Sequence, residues 1–546
     1  MKKYLIYIPL IISILFAAGI FVGLQINHAN QNIEITNAIN NALPKIHQNG
    51  ANKINNLLNY IDQEYVDEVD KNKIVEDVIY KILEELDPHS YYISSEELAS
   101  YTEPLEGNFE GIGIEFNFQK DTVVVVNVIA GGPSEKVGLA AGDRIIKVNE
   151  EDITGKDINT RDIVKKLKGK KGTEVEVTVF RKSNKKELKF KIIRGTIPIH
   201  SIDAAYMEDE ANGYIKISRF SKNTYEEFLS NAKELKSKGM KNLVLDLRGN
   251  GGGYLDAAVK IADEFLEKDE LIVYTEGKAR PRQNFKATSK GSLKDIGVIV
   301  LIDENSASAS EIISGAIQDN DRGLIVGRRS FGKGLVQEQS MLKDGSALRL
   351  TIARYYTPSG RSIQKPYSNG DSESYHKETY DRWASGELTG EMNDSLLTAD
   401  SLKYFTKRGR IVYGGGGIMP DYFIPIDTNI VYSDYYNLLR YGIFNRFTFD
   451  YTDDRRGELK KFTDLNDFNK NFKVDGKILN DFFEFAKENG FDKKISDKNE
   501  ITQIKSRLKA QFARFYFQDT GFFYIINKDD DTYKKALTLV GEALLL

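Results

Sequence analysis

The distribution of apolar positions divides the chain into stretches of different character. An uncharged run from Tyr4 to Asn27 follows Lys2 and Lys3 and is long enough to span a bilayer. Residues 1–30 therefore read as an uncleaved membrane anchor, with a cleaved signal peptide as the alternative. The anchor is preferred because a signal's apolar region is usually shorter and no small-x-small cleavage site follows. With the two lysines on the cytoplasmic side, everything beyond residue 30 is expected outside, on the periplasmic side of the inner membrane if the source has two membranes. In the next segment, 31–106, apolar residues recur at Ile54, Leu57, Leu58, Ile61 and Tyr65, then at Ile74, Val75, Val78, Ile79, Ile82, Leu83 and Leu86. This spacing predicts two amphipathic helices, the second ending at Asp87-Pro88, since a residue before proline is pushed out of the helical region.

From Gly107 to Gly195 the pattern shifts to short β runs punctuated by glycine: Gly111 to Phe116, Val123 to Val128, Asp143 to Asn149 and Glu174 to Arg181. The alternation Glu174-Val175-Glu176-Val177-Thr178-Val179 marks a strand with one wet face. Residues 196–426 alternate strands with helices, as in an α/β domain. Strands are expected at Gly213 to Ile217, Leu243 to Leu247, Gly297 to Ile302 and Leu324 to Val326, with helices at Thr224 to Lys238, after Tyr254 and from Ser310 to Asp319. Within it, 366–410 is polar and weakly periodic and reads as an insertion or loop. The tail, 427–546, has helical spacing at Ile501, Ile504, Leu508 and Phe512 and again near Leu537, and reads as a mainly helical accessory region.

Composition narrows the classes of function. At 546 residues the chain needs three or four folded units. Its 76 basic and 80 acidic residues leave a formal net charge of −4, with no field to attract nucleic acid, so nucleic-acid binding is set aside. It has no cysteine, which removes disulfides, thiolate zinc sites, cysteine nucleophiles and an N-terminal lipidated cysteine. The five histidines (His28, His47, His89, His200, His376) are scattered without metal-ligand spacing, so no metal or cofactor is expected, and each reads as a surface or locally bonded residue. No Gly-x-Ser-x-Gly elbow accompanies them.

Chemistry is concentrated in three strand-end loops. In Asn305-Ser306-Ala307-Ser308-Ala309-Ser310-Glu311, small residues crowd the passage from a strand into an apolar-faced helix. A helix N-terminus offers unpaired N–H groups suited to an oxyanion, although Ser308 with Glu311 also has the spacing of a simple capping box. The second loop, Gly327 to Gln337, has the Gly-x4-Gly-Lys outline of a phosphate-binding loop, but Gly334 stands where Ser or Thr should hold magnesium. If Lys333 instead meets Ser308, a buried lysine would shed its proton readily and could take that of the serine. Gln337, four positions on, would share the face of Lys333 on an extended strand and could hold the amine in place. The third loop, Asp246-Leu247-Arg248-Gly249-Asn250-Gly251-Gly252-Gly253, could turn bare backbone N–H groups toward a reacting carbonyl, or could be no more than a tight turn.

Taken with Leu86-Asp87-Pro88-His89-Ser90, Tyr356-Thr357-Pro358-Ser359-Gly360 and Gly416-Gly417-Ile418-Met419-Pro420-Asp421, these motifs resemble, in order, those of the carboxyl-terminal processing (tail-specific) peptidases over roughly residues 80–425. The resemblance implies a multidomain α/β protein: N-terminal helices, an inserted PDZ-like module at 107–195, a crotonase/ClpP-like α/β core and a helical C-terminal region. It implies Ser308 as nucleophile, Lys333 as general base, Gln337 as its orienting partner, and the N–H groups of Gly253 and Ala309 as oxyanion donors, the choice of Gly253 over Gly252 being the less secure. It also implies that Gly111, Ile112, Gly113 and Ile114 bind a peptide carboxylate. The expected partners are proteins or peptides with a free, apolar C-terminus, added as a strand to the PDZ edge, together with other copies of the chain in a homo-oligomer served by the N-terminal helices. The competing readings are an inert PDZ-type adaptor and, more remotely, a crotonase-like acyl-CoA enzyme.

Overall fold

The computed structural model describes residues 50–119, 121–155, 159–182, 185–390, 402–428, 433–455 and 462–543. The chain divides into two compact units, residues 1–82 and 83–546. The described part of the first holds helix Gly50–Glu64 and most of helix Lys71–Glu84, the pair that the apolar spacing predicts. The Lys71 amine bonds the Asn59 side chain (3.1 Å) and Asp62 (3.5 Å). Among the described residues no helix is long and apolar enough to cross a membrane. That finding corrects the expectation of a membrane-anchored, extracytoplasmic protein, which is withdrawn; the segment on which it rested, 1–30, lies outside the described residues.

In the second unit the first module is β-rich. Its sheet runs in the order Ile114–Gln119, Thr122–Val128, Arg144–Val148, Glu174–Arg181, Lys186–Ile193, all antiparallel, which puts Ile114–Gln119 at an edge. Period-2 alternation sends Val175, Val177 and Val179 inward, where they meet Val123, Val125, Ile145 and the buried side of helix Thr160–Leu167 at Ile163 and Leu167. Strand Asn108–Gly111 pairs with Gly195–Pro198, so entry and exit of the module are tied together.

The central sheet follows the order Ile202–Met207, Asn212–Ile217, Asn242–Asp246, Gly297–Ile302, Leu324–Gly327, Tyr422–Phe423. Its first pair is antiparallel and the rest are parallel. Every residue of Asn242–Asp246 and Gly297–Ile302 is buried, because both faces are covered. Helices Thr224–Ser237, Leu255–Asp263 and Ala309–Asp319 pack on Leu243, Leu245, Val298 and Val300. The opposite face, with Tyr214, Val244, Ile299 and Leu301, packs against the C-terminal helices through Leu438, Phe444, Phe512 and Tyr533. The carboxyl ends of the parallel strands open into the three glycine- and serine-rich loops, the usual place for a site in an open α/β sheet.

A second, antiparallel sheet has no counterpart in the sequence reading. It joins Tyr91–Ile93, Ala347–Tyr356, Leu271–Gly277 and Arg280–Lys286, with Leu335–Met341 also on Ala347–Tyr356. Two of its strands, Arg280–Lys286 and Leu335–Met341, are largely wet, so apolar periodicity does not announce them. The stretch read as an insertion or loop at 366–410 contains helix Ser372–Ala384, capped by Asp371, and strand Lys403–Phe405, which pairs with Ile411–Tyr413 just beyond it. That helix buries only Tyr375 and Arg382, too few positions to set up a periodic signal.

Candidate active site

Ser308 stands at the N-terminus of helix Ala309–Asp319 with φ 56° and ψ −111°, a region that a side-chain-bearing residue enters at a cost of about 1 to 3 kcal/mol. The loop that holds it there is bonded to the glycine loop. The Asn250 carbonyl accepts from Ala307 N–H (3.0 Å) and from the Ser310 hydroxyl (2.9 Å). Gly252 presses so closely that an added Cβ would lie 2.8 Å from the Ser308 Cβ and 3.0 Å from the Ala309 nitrogen. The Gly252 N–H is occupied by the Asn250 side chain (2.9 Å). Gly253 bridges Phe220 in parallel fashion, using the Gly252 carbonyl and the Tyr254 N–H, which leaves its own N–H outside that pairing. Ala309, first residue of the helix, carries an N–H that has no partner within the helix.

Glu311 and Tyr355 tie the serine loop to the lysine loop. One carboxylate oxygen of Glu311 accepts from the N–H of Ser308 (2.7 Å) and of Lys333 (2.9 Å). The other accepts from the Ser330 hydroxyl (2.6 Å) and Gly332 N–H (2.7 Å). The single proton of the Tyr355 hydroxyl lies between the carbonyl oxygens of Lys333 (2.6 Å) and, more weakly held, Ser308 (3.1 Å). Two side chains thus clamp the backbones of Ser308 and Lys333 together across a sequence gap. Burial pushes Glu311 up to about 7, against the bonds it accepts. Burial and then Arg349 bring Lys333 down to about 8, with Glu311 and Asp87 pulling the other way.

Gln337 enters differently from expected. The strand spans Leu335–Met341, so Lys333 precedes it, and a bulge between Val336 and Gln337 breaks simple alternation. The bulge sets Gln337 opposite Thr351, to whose hydroxyl its amide donates (3.3 Å). His89, read as a surface or locally bonded residue, is half-buried and reaches the Tyr375 hydroxyl through Nε2 (2.9 Å). Burial, then Lys333, lowers it to about 3, so it is neutral near pH 7. Glu311, Tyr355 and Tyr375 escaped the sequence reading as site residues. Only Glu311 left a signal, as the second half of a capping box.

Gly111, Ile112, Gly113 and Ile114 lie in the β module, apart from the strand-end loops. Gly113 has φ +77°, and a Cβ there would sit 2.9 Å from the Ile197 side chain. The Ile112 carbonyl accepts from Ser134 N–H (3.1 Å) and hydroxyl (2.7 Å), and Ile114 begins the edge strand.

Residues 211–373 match Peptidase family S41 and residues 111–192 match the PDZ domain. Residues 13–97 match the activating protease CtpB N-terminal domain, and 435–518 match a family of unknown function. The carboxy-terminal processing protease CtpB of Bacillus subtilis (strain 168) is 35% identical over 363 residues, covering 65% of this chain and 74% of that protein. The carboxy-terminal-processing protease of Bartonella bacilliformis is 36% identical over 355 residues, covering 64% and 80%. The chain belongs to the carboxy-terminal processing protease family. As a member of that family it is a serine peptidase of family S41 with a PDZ domain. Among solved structures, the photosystem II D1 C-terminal processing protease is 30% identical, with a TM-score of 0.34, covering 56% of this chain and 82% of that one.

Proposed function

We propose that this carboxy-terminal processing protease cuts peptide bonds in proteins recognised by their C-terminal tails, with Ser308 as nucleophile and Lys333 as general base. The observation that carries the reading is the double clamp: Glu311 and Tyr355 each bond the backbones of both residues. Neutral Lys333 takes the hydroxyl proton as Ser308 Oγ attacks the scissile carbonyl carbon. The N–H groups of Gly253 and Ala309 receive the oxygen that becomes negative. Collapse of the tetrahedral intermediate expels the amine, which leaves with the proton from Lys333, and water then hydrolyses the acyl-serine by the same route. Gln337 orients the amine.

Tail recognition is assigned to the β module. A C-terminal tail would add antiparallel to the edge strand Ile114–Gln119, its carboxylate meeting N–H groups of Gly111 to Ile114. Exposed Ile54, Leu57 and Tyr60 on helix Gly50–Glu64 support a homo-oligomer formed through the N-terminal helices.

Ser308→Ala and Lys333→Ala should each abolish cleavage of a C-terminally labelled unfolded substrate while melting as the wild type does. Unchanged turnover in either variant would refute the assignment. A base must be neutral to act, so kcat/KM should climb with pH through about 8 and level off above it. A profile flat across that region would remove Lys333 from the role.

A further inference from the structure

The pairing of Gln337 with a lysine has a requirement that an amide does not meet by itself. A lysine that has accepted a proton is donor-only, so the carbonyl end of the amide, not its NH2 end, must face it. The structure contains a chain of groups that settles which end does. Asp87, 5% exposed, accepts from His89 N–H (2.8 Å), the Ser90 hydroxyl (2.6 Å) and the Thr351 hydroxyl (3.1 Å). A carboxylate offers only lone pairs, so each hydroxyl spends its single proton on it. Ser90 Oγ in turn accepts from Thr351 N–H (3.0 Å), which fixes Thr351 from a second side. With its proton committed to Asp87, the Thr351 hydroxyl can only accept from Gln337, 3.3 Å away. Gln337 must therefore present its NH2 to Thr351 and turn its oxygen the other way. The bulge at Val336/Gln337 is what brings residue 337 opposite residue 351.

We propose that Asp87, acting through Thr351, is a positioning residue that fixes the polarity of the Gln337 amide so that its carbonyl oxygen faces the amine of Lys333. This inference rests on the assignment of Lys333 and Gln337 made above. It gives the Asp87-Pro88-His89-Ser90 turn a task in catalysis although it lies far from both residues in sequence.

The test uses the full chain and a C-terminally labelled unfolded substrate, assayed from about pH 6 to about pH 10. Thr351→Val keeps the shape and deletes the relay; kcat should fall about 10-fold at constant KM, and Thr351→Ser, which restores the hydroxyl, should recover most of the loss. Asp87→Asn can donate to Thr351 and so reverse the chain; kcat should fall similarly. The charges acting on Lys333 are those of Arg349, Glu311 and Asp87; His89, from the same turn as Asp87, is neutral. Removing the Asp87 charge should move the rising limb of the pH profile to lower pH, whereas Thr351→Val should leave its midpoint in place. The double variant should be no worse than the poorer single one, because the two residues act as a unit. Wild-type kcat in Thr351→Val, or losses that multiply in the double variant, would overturn the proposal. A Lys333→Ala enzyme that still turns over would instead bring down the underlying assignment. An inactive Lys333→Ala beside wild-type Thr351→Val and Asp87→Asn would remove the relay alone.

Discussion

Glu311 links both halves of the proposed site through four donors, and its chemistry is correspondingly sensitive to a single atom. In Glu311→Gln one oxygen becomes an NH2 group that faces N–H or O–H donors it cannot accept from. Leaving buried donors unsatisfied costs about 1 to 3 kcal/mol each, so the variant should lose at least about 2 kcal/mol in urea unfolding, with kcat down about 10-fold or more. The wild type carries a pH signature of the same group. Burial holds Glu311 near 7, above the ordinary glutamate value of about 4.3, so the native state binds this proton more tightly than the unfolded chain. Its contribution to stability is therefore full at acid pH, shrinks as pH rises from about 4.3, and is gone above about 7. The urea midpoint should show this decline in the wild type and lack it in Glu311→Gln. The sequence carried Glu311 only as a cap three residues from Ser308. The donors from Ser330, Gly332 and Lys333 arrive from a different loop, and local spacing holds no information about which loops meet. Tyr355 and Thr351 were invisible for the same reason: Thr351 meets Gln337 across a bulged strand pair and Asp87 in a distant turn, and Tyr355 meets the loops of Ser308 and Lys333.

At the scale of elements, the parallel strands were legible because burial on both faces writes them as continuous apolar runs, and their loops were legible because close approach demands glycine. The antiparallel sheet was not, since Arg280–Lys286 and Leu335–Met341 are mostly wet and carry no continuous apolar run. Yet that sheet brings Tyr355 and Gln337 to the parallel core. Tyr355→Phe removes the one hydroxyl that bonds the carbonyl oxygens of both Ser308 and Lys333, and a roughly 10-fold fall in kcat with about 1 kcal/mol of lost stability is expected from steady-state kinetics and thermal melts. The glycine loop makes a sharper, two-sided prediction. At Gly253 (φ +146°) an added Cβ would lie 2.1 Å from the Phe220 carbonyl oxygen, so Gly253→Ala must displace the backbone N–H assigned to the oxyanion. Losing one such donor costs about 100- to 1000-fold in kcat. Gly251, two residues earlier, has open space where its Cβ would point, so Gly251→Ala should melt and turn over nearly as the wild type does. Equal damage from both substitutions would contradict the close-approach argument.

On the scale of the whole molecule, the C-terminal helices are the second layer of the catalytic sheet. Tyr214 meets Tyr533 edge to face with ring centroids 5.3 Å apart, and Tyr206 meets Tyr524 at 5.2 Å. Asn527 donates to the Tyr206 hydroxyl (2.9 Å). A chain ended before Asp434 would leave Tyr214, Val244, Ile299 and Leu301 without cover, a broad apolar face on a sheet. Such a truncation should be recovered as aggregate, not as an active, unregulated core. The contact that joins this layer to the proposed site is Arg248, at the start of the glycine loop. Its guanidinium bonds Asp246 (3.0 and 2.7 Å), buried at the strand end, and Asp530 (2.9 and 2.8 Å), which precedes the last helix. Asp530→Asn takes away one of two carboxylates while leaving shape and the Asp246 partner. Because the Asp530 side chain is 31% exposed and Arg248 16%, water screens part of the loss, and a destabilisation of about 1 to 2 kcal/mol is expected in thermal or urea melts. Asp530→Glu should recover part of it. Arg248→Ala is the harsher change, since it takes the guanidinium from the buried Asp246 and leaves it the N–H of residue 248 at 2.9 Å, the Tyr214 hydroxyl at 2.7 Å and Lys216 at 3.7 Å, so it should destabilise by more than Asp530→Asn. An Arg248→Ala protein that melts no lower than Asp530→Asn would mean that Asp246 gains no stability from the guanidinium beside it.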